Sequence, residues 1–118
     1  MDELSQLFRL ATEQQQAGDW QQAEETLRRI LAQAPHESAT RHRLAWLLHQ
    51  RGQLDAAIDE LKLAIQFHPT SAALQSHLGS ILRQAGRPEE AVASFRTAIE
   101  LEPDNSIAHF NLDRKSVV

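Results

Sequence analysis

The sequence contains no cysteine and no tyrosine, and it has only four glycines and four prolines. Without cysteine it can form neither a disulfide nor a thiolate zinc site. No apolar run approaches the roughly 18 residues that a membrane-spanning helix needs, and no alternating run rich in Val, Ile or Thr indicates a strand. The common residues are instead Ala, Leu, Gln, Glu and Arg, which favour helices. For 118 residues we therefore expect one helical domain that does not enter a membrane.

The charge balance is mildly acidic and argues against nucleic acid as a partner. Sixteen acidic residues are interspersed with twelve basic ones, which gives a net charge of −4. Binding to a nucleic-acid backbone needs a concentrated positive face, and no segment supplies one. The first ten residues, MDELSQLFRL, include two acids and lack the basic start of a secretory signal. We therefore expect a cytoplasmic location.

A 34-residue repeat organises the chain. Three stretches align without a gap, each from a Gly to a Pro: Gly18–Pro35, Gly52–Pro69 and Gly86–Pro103. Within them one small and one large residue recur in register, namely Ala23, Ala57 and Ala91, then Leu27, Leu61 and Phe95. A fixed period of this length is typical of stacked helical repeats. The units are residues 4–37, 38–71 and 72–105, followed by a partial fourth unit at 106–112.

Each unit is predicted to form a first and a second helix joined by a turn at the glycine. Glycine adopts the left-handed conformation of such a turn at little cost, and a proline ends each second helix. In the first helices apolar residues recur three and four positions apart, which places them on one face. These residues are Leu7, Leu10 and Ala11, then Leu44, Ala45 and Leu48, then Leu78, Gly79 and Leu82.

The unit resembles the tetratricopeptide repeat (TPR), a helix-turn-helix with the pattern W-x2-L-G-x2-Y, then A-x3-F, then A and P. The third unit matches most fully, with Leu78-Gly79-x2-Leu82, Ala91-x3-Phe95, Ala98 and Pro103. Departures are Arg41 and Gln75 where the family often has Trp, and Gln14 at the Tyr position. The resemblance implies an all-α fold, a right-handed α-solenoid of antiparallel helix pairs.

The same resemblance implies a concave groove lined by the first helices. Its expected lining is Phe8, Thr12 and Gln15 in the first unit, His42, Trp46 and His49 in the second, and Ser76, His77, Ser80 and Arg83 in the third. Trp46 is the expected anchor for a peptide or partner helix, because it is central and lies off the apolar stripe. The alternative is that Trp46 packs between neighbouring first helices, near Thr12 and Ser80.

No cofactor, metal or catalytic activity is expected. His42 and His49 lie seven residues apart, roughly 10 Å along a helix, so they could share a metal only with His77 or an outside group. The sequence has no cysteine nucleophile, no phosphate-binding glycine loop and no H-E-x-x-H motif. The resemblance therefore implies a scaffold or adaptor that binds protein, not an enzyme.

Two alternatives stay open. Arrays resembling this one precede glycosyl- or sulfotransferase domains in some families, so the chain is alternatively an accessory part of a larger enzyme. Self-association is also expected, because the third unit lacks a full capping helix. Its apolar residues Val92, Phe95, Ile99 and Leu101 would then be partly bare.

The last six residues do not continue the repeat. Asp113 falls where earlier units have Ala11, Ala45 and Gly79. We expect residues 113–118, DRKSVV, to be a non-native or disordered tail, because they translate GATCGGAAGAGCGTCGTG, which resembles a sequencing adapter. The alternative is a native polar tail.

Overall fold

Seven helices make up the part of the chain that the structure describes. The computed structural model describes residues 2–115, with side chains to Leu112, and holds no strand in that range. The helices are α1 (Glu3–Gln16), α2 (Trp20–Gln33), α3 (Ser38–Gln50), α4 (Leu54–Phe67), α5 (Ala72–Gln84), α6 (Pro88–Leu101) and α7 (Ser106–Lys115). Within residues 2–115 no helix is both long and apolar enough to cross a membrane. The predicted all-α class is confirmed.

The three turn glycines end the first helices in the same way. Gly18, Gly52 and Gly86 have φ of 78°, 78° and 79°, in the left-handed region that a side chain would strain. After the first of these turns, the N–H of Asp19 donates to the carbonyl of Gln14 at 2.9 Å, and Gly18 donates to Gln15 at 3.1 Å. This pair of bonds is the Schellman motif, which satisfies the last carbonyls of a helix.

The helices stack as antiparallel pairs in chain order. Within the units α1 packs on α2, α3 on α4 and α5 on α6, and each second helix then packs on the first helix of the next unit. The result is an elongated right-handed solenoid of 48 × 26 × 20 Å with one continuous apolar core. Small residues at the helix crossings allow close approach, and Ala11, Ala45 and Gly79 are all buried.

Two apolar residues differ from their predicted exposure. The prediction that Phe95 is partly exposed is wrong. Its ring lies against Gly79 within its own helix pair and is buried. Leu10 was expected on the buried stripe, but it is 38% exposed whereas its equivalents Leu44 and Leu78 are buried. The helices of these equivalents, α3 and α5, each pack on the preceding second helix, whereas no helix precedes α1 among the described residues.

Arg41, which replaces the motif's tryptophan, joins two neighbouring units. Its Nη1 lies 2.9 Å from Oε2 of Glu60, and the two side chains are only 13% and 12% exposed. Its Nε donates to the carbonyl of Pro35 at 3.2 Å, and its guanidinium lies 5.7 Å from the ring centre of Phe67. A charged pair and a cation–π contact therefore occupy the place of an indole.

Helix α7 runs three residues beyond Leu112, where the repeat pattern stops. Its backbone is helical to Lys115, while residues 116–118 lie outside the described part of the chain. A small residue is needed at position 113 only where a second helix packs closely, and among the described residues no helix follows α7. The unit boundaries and the proposed nature of residues 113–118 stay predictions.

Candidate functional site

The first helices lie side by side along one face, where polar side chains bridge each neighbouring pair. Arg43 on α3 donates to Gln15 on α1, His49 on α3 contacts Gln84 on α5, and Arg83 on α5 donates to Asn111 on α7. We call this face the concave groove and each meeting of two first helices a junction. The groove is continuous from α1 to α7.

The three junctions use equivalent repeat positions. The pair Gln15–Arg43, moved by two periods of 34 residues, becomes Arg83–Asn111. One period from either lies the pair His49–His77, whose ring centres are 5.7 Å apart. Both outer junctions are therefore arginine–amide pairs. The amide lies on the earlier helix at the junction of α1 and α3, and on the later helix at the junction of α5 and α7. The middle junction is a pair of histidines. The predicted list contains one or both members of each pair but does not identify the pairing.

The outer junctions are closed by hydrogen bonds. Arg43 donates from Nε to Oε1 of Gln15 at 3.2 Å and from Nη2 to Oγ1 of Thr12 at 3.1 Å. Burial lowers the pKa of Arg43, which nevertheless stays a cation. Arg83 donates from Nη1 to the carbonyl of Asn111 at 3.1 Å and from Nη2 to its side-chain oxygen. These arginines hold adjacent units together.

The middle junction has polar atoms without partners. Both ring nitrogens of His77 and Nδ1 of His49 are buried and find no hydrogen-bond partner among the described residues. His42 lies on the other side, with its ring centre 4.8 Å from that of His77. Burial lowers the pKa of His77 to about 4, helped by the nearby His42 and His49, and burial also lowers the pKa of His42. Both His42 and His77 are therefore neutral at pH 7.

Trp46 stands over this histidine cluster and is 50% exposed. Its ring is nearly perpendicular to that of His49, with centres 5.8 Å apart, and lies 5.9 Å from His77. Two cavities border it. The larger, of about 560 Å³, extends across α5 to the start of α7, and the smaller, of about 370 Å³, lies between Ala39 and Arg43.

The other predicted groove residues fall into three groups. Phe8 is half-buried and packs on the apolar core, so it offers little surface to a ligand. Thr12, Gln15 and Arg83 are engaged in the outer junctions. Ser76 and Ser80 line the larger cavity, and Ser76 is only 5% exposed, with an Oγ that lacks a partner among the described residues.

The sequence interpretation missed the far wall of the larger cavity. Glu102 and Asp104, from the loop between α6 and α7, and Ile107 at the start of α7 complete it. The repeat register gives no hint of this wall, because these residues belong to the turn between units and to the partial fourth unit. The Arg43–Gln15 junction was also missed, although the 34-residue register could have suggested it.

The described side chains do not form a metal centre. Within them no group of three or more His, Asp or Glu residues has an arrangement that could hold a metal ion. His77 does lie between His42 and His49, as the sequence would require for a shared metal. The expectation that the chain needs no cofactor stays a prediction.

Comparisons with known proteins agree with this architecture. A family model described as tetratricopeptide repeat matches residues 14–81, and one described as TPR repeat matches residues 79–112. No curated protein matches the chain significantly. Among solved structures, YrrB, a TPR protein with an unusual peptide-binding site, has a TM-score of 0.86 at 19% identity over 96% of this chain and 58% of its own.

Two further structures are similar. The Thermobaculum terrenum O-GlcNAc transferase has a TM-score of 0.78 at 32% identity, over 92% of this chain and 21% of its own. The Yersinia enterocolitica secretion chaperone SycD, in complex with a peptide of the translocator YopD, has a TM-score of 0.83 at 24% identity, over 99% of this chain and 89% of its own. The chain spans about three-fifths of YrrB and a fifth of the transferase. Because the first family model covers more than half of its 118 residues, this chain belongs to the tetratricopeptide repeat family.

Proposed function

We propose that the chain is a protein-interaction module that binds an extended peptide or a partner helix in the concave groove. The observation that carries the proposal is Trp46, a large aromatic side chain that is half exposed at the middle junction. An exposed aromatic residue beside a cavity is the usual anchor of a protein interface. Trp46 is not part of the buried apolar core, whereas its neighbours Ala45 and Leu47 are.

The unpartnered polar atoms of the middle junction support the same location. A buried polar atom without a hydrogen bond raises the free energy of the unbound protein, and a ligand that supplies the bond recovers it. At the two outer junctions arginine satisfies the equivalent positions from within the chain. His77 at the middle junction has no such partner among the described residues. A ligand gains most by binding there.

Some relatives bind peptides in a similar framework. YrrB is described as having a peptide-binding site, and SycD is described in complex with a peptide. A module of this kind recognises side chains through pockets and needs no catalytic group of its own. We therefore propose a binding role without catalysis, with a protein or peptide as the partner.

The test is a peptide-display selection on the purified chain, followed by affinity measurements on Trp46→Ala. We expect the selected peptides to lose at least about tenfold in affinity, which is the cost of truncating an interface hot spot of about 1.4 kcal/mol or more. Trp20→Ala is the matched control, because Trp20 is 42% exposed but starts a second helix, outside the groove. Circular dichroism verifies that both variants keep their helices. Equal losses in the two variants would refute the groove as the binding site.

Self-association is a second proposal, with another copy of the chain as the partner. Ile107 and Phe110 on α7 are each 61% exposed. In the full units a second helix packs on the first helix of its own unit, and among the described residues α7 has no such helix. An apolar helix face that no second helix covers favours association between copies. The exposed surface of Leu101, at the end of α6, lies close in sequence to this face.

The alternative that the chain is part of a larger enzyme stays a prediction. Its one point of support is the similarity to about a fifth of the Thermobaculum terrenum O-GlcNAc transferase. Sequencing the genomic locus past codon 112 tests the alternative, and it tests the proposed origin of residues 113–118 as well.

A further inference from the structure

The larger cavity beside Trp46 has an acidic rim. Glu102 and Asp104 stand at its far wall, both exposed, and the side chains described along its lining include no lysine or arginine. The two carboxylates come from the short loop that connects α6 to α7. The cavity therefore has a negative potential in a chain whose net charge is already −4.

These two carboxylates differ from the three acidic side chains that form ion pairs among the described residues. Glu24, Glu60 and Glu90 each form an ion pair with an arginine. Glu102 and Asp104 have neither an ion pair nor a side-chain hydrogen bond with any described residue. No described cationic side chain pairs with them, so within residues 2–112 their charges are available to a cationic ligand.

The floor of the cavity holds polar groups that accept hydrogen bonds. Ser76 is 5% exposed, and its Oγ has no partner among the described residues. The neighbouring His77 is a neutral ring because burial lowers its pKa to about 4, so one of its nitrogens is an acceptor. Each of these groups has a lone pair that can accept from the N–H groups of a cation, while the carboxylates at the rim disfavour an anion.

We propose that this cavity binds the side chain of an arginine or a lysine in the partner peptide. The inference rests on the proposed function of the groove and adds the chemical class of the anchor. The aliphatic part of the side chain would lie against Ile107, and the cation would lie over the face of Trp46. Its N–H groups would reach the carboxylates of Glu102 and Asp104.

The experiment compares three proteins in the same peptide-display selection: the wild type, a test variant and a charge-matched control. The test variant, Glu102→Gln with Asp104→Asn, removes the two rim charges and keeps the side-chain size. The control, Asp59→Asn with Glu100→Gln, removes two exposed charges from second helices outside the groove. The selected peptides are then resynthesised with arginine replaced by citrulline, which is nearly isosteric and uncharged.

We expect Arg or Lys to be enriched at one peptide position with the wild type and the control, and not with the test variant. Loss of each exposed carboxylate should weaken binding roughly two- to fivefold, and citrulline should weaken it at least as much as the double substitution. Added salt should weaken wild-type binding more than binding to the test variant.

Other outcomes would overturn the inference. If acidic or purely apolar peptides are selected, or if basic enrichment survives in the test variant, the cavity does not recognise a cation. In those cases Trp46→Ala still reports on the groove, so the proposed function stands or fails separately. If no peptide is selected by the wild type, both proposals fail.

Discussion

Gly79 lies directly against the ring of Phe95, and a β-carbon built on this glycine would be 2.7 Å from Cε1 of that ring. Both residues are buried, one on α5 and one on α6. The equivalent pairs in the other units are Ala11 with Leu27 and Ala45 with Leu61. The third unit thus pairs a smaller residue with a larger side chain, so the combined volume of the pair is roughly the same in all three units.

We predict that Gly79→Ala destabilises the protein although alanine favours helices. The added methyl group cannot avoid the ring, and overpacking costs about 1–3 kcal/mol, against a gain of about 0.5–1 kcal/mol from replacing a helical glycine. Phe95→Leu in the same chain restores the pair of the first two units. The double variant should therefore be more stable than the sum of the single effects predicts, by at least about 1 kcal/mol. Chemical denaturation followed by circular dichroism measures this coupling, and strict additivity would contradict it.

We predict that replacing only Glu60 destabilises the protein, whereas replacing Arg41 and Glu60 together leaves its stability nearly unchanged. Glu60→Gln leaves a poorly exposed guanidinium without its carboxylate. It should lower the free energy of unfolding by about 1–2 kcal/mol, which is less than the loss expected when a fully buried ion pair is broken. Arg41→Trp combined with Glu60→Gln supplies the family's aromatic residue and removes both charges. That variant should unfold at a denaturant concentration near that of the wild type, because no poorly exposed charge is left without its partner. If the double variant loses more stability than Glu60→Gln does, then the other contacts of the Arg41 guanidinium, with Pro35 and Phe67, stabilise the fold independently of Glu60.

We predict that stability falls as the pH drops from about 6.5 towards 4. In the folded chain the pKa of His77 is about 4, below its ordinary value of 6.5, so in this window the unfolded chain binds more protons than the folded one. One proton corresponds to at most about 1.4 kcal/mol per pH unit, and partial solvent exposure reduces that slope. His42, whose pKa burial also lowers, adds to the effect in the same direction. Denaturation midpoints at pH 5.0–7.0 measure it.

The control for the pH effect is a histidine substitution outside the groove. His77→Gln should flatten the slope, whereas His109→Gln should leave it unchanged, because His109 is exposed near the end of the described chain. Working above pH 5 keeps most carboxylates ionised. An unchanged slope in His77→Gln would mean that His77 titrates normally.

We predict that Phe110→Ser weakens self-association. Removing an exposed aromatic side chain from both copies lowers the gain from burial, which is roughly 1.5–3 kcal/mol per large apolar side chain. The dimerisation constant should fall by at least about tenfold. Leu63→Ser is the matched control, because Leu63 is also exposed but lies on α4. Size-exclusion chromatography with light scattering gives the answer, and a wild-type chain that stays monomeric at high concentration would refute the proposal.

The repeat register predicted most of the fold because its signals are local. The glycines that take a left-handed φ, the prolines that end helices and the apolar spacing each act within a few residues of the chain. The same register predicted which helices line the groove and placed Trp46 there. The expectation that Phe95 is partly bare came from the missing capping helix, and it is wrong because the ring packs against Gly79 within its own helix pair.

The sequence by itself determined the first six of the seven described helices and their order, since a period of 34 residues repeats one hairpin three times. Only the tertiary structure decided which side chains meet across the junctions. Arginine closes the outer two, three histidines gather at the middle one, and Glu102 joins a cavity that Trp46 of the preceding unit also lines. These contacts depend on how one hairpin is rotated against the next, and that rotation is set by packing between units, which no local pattern records.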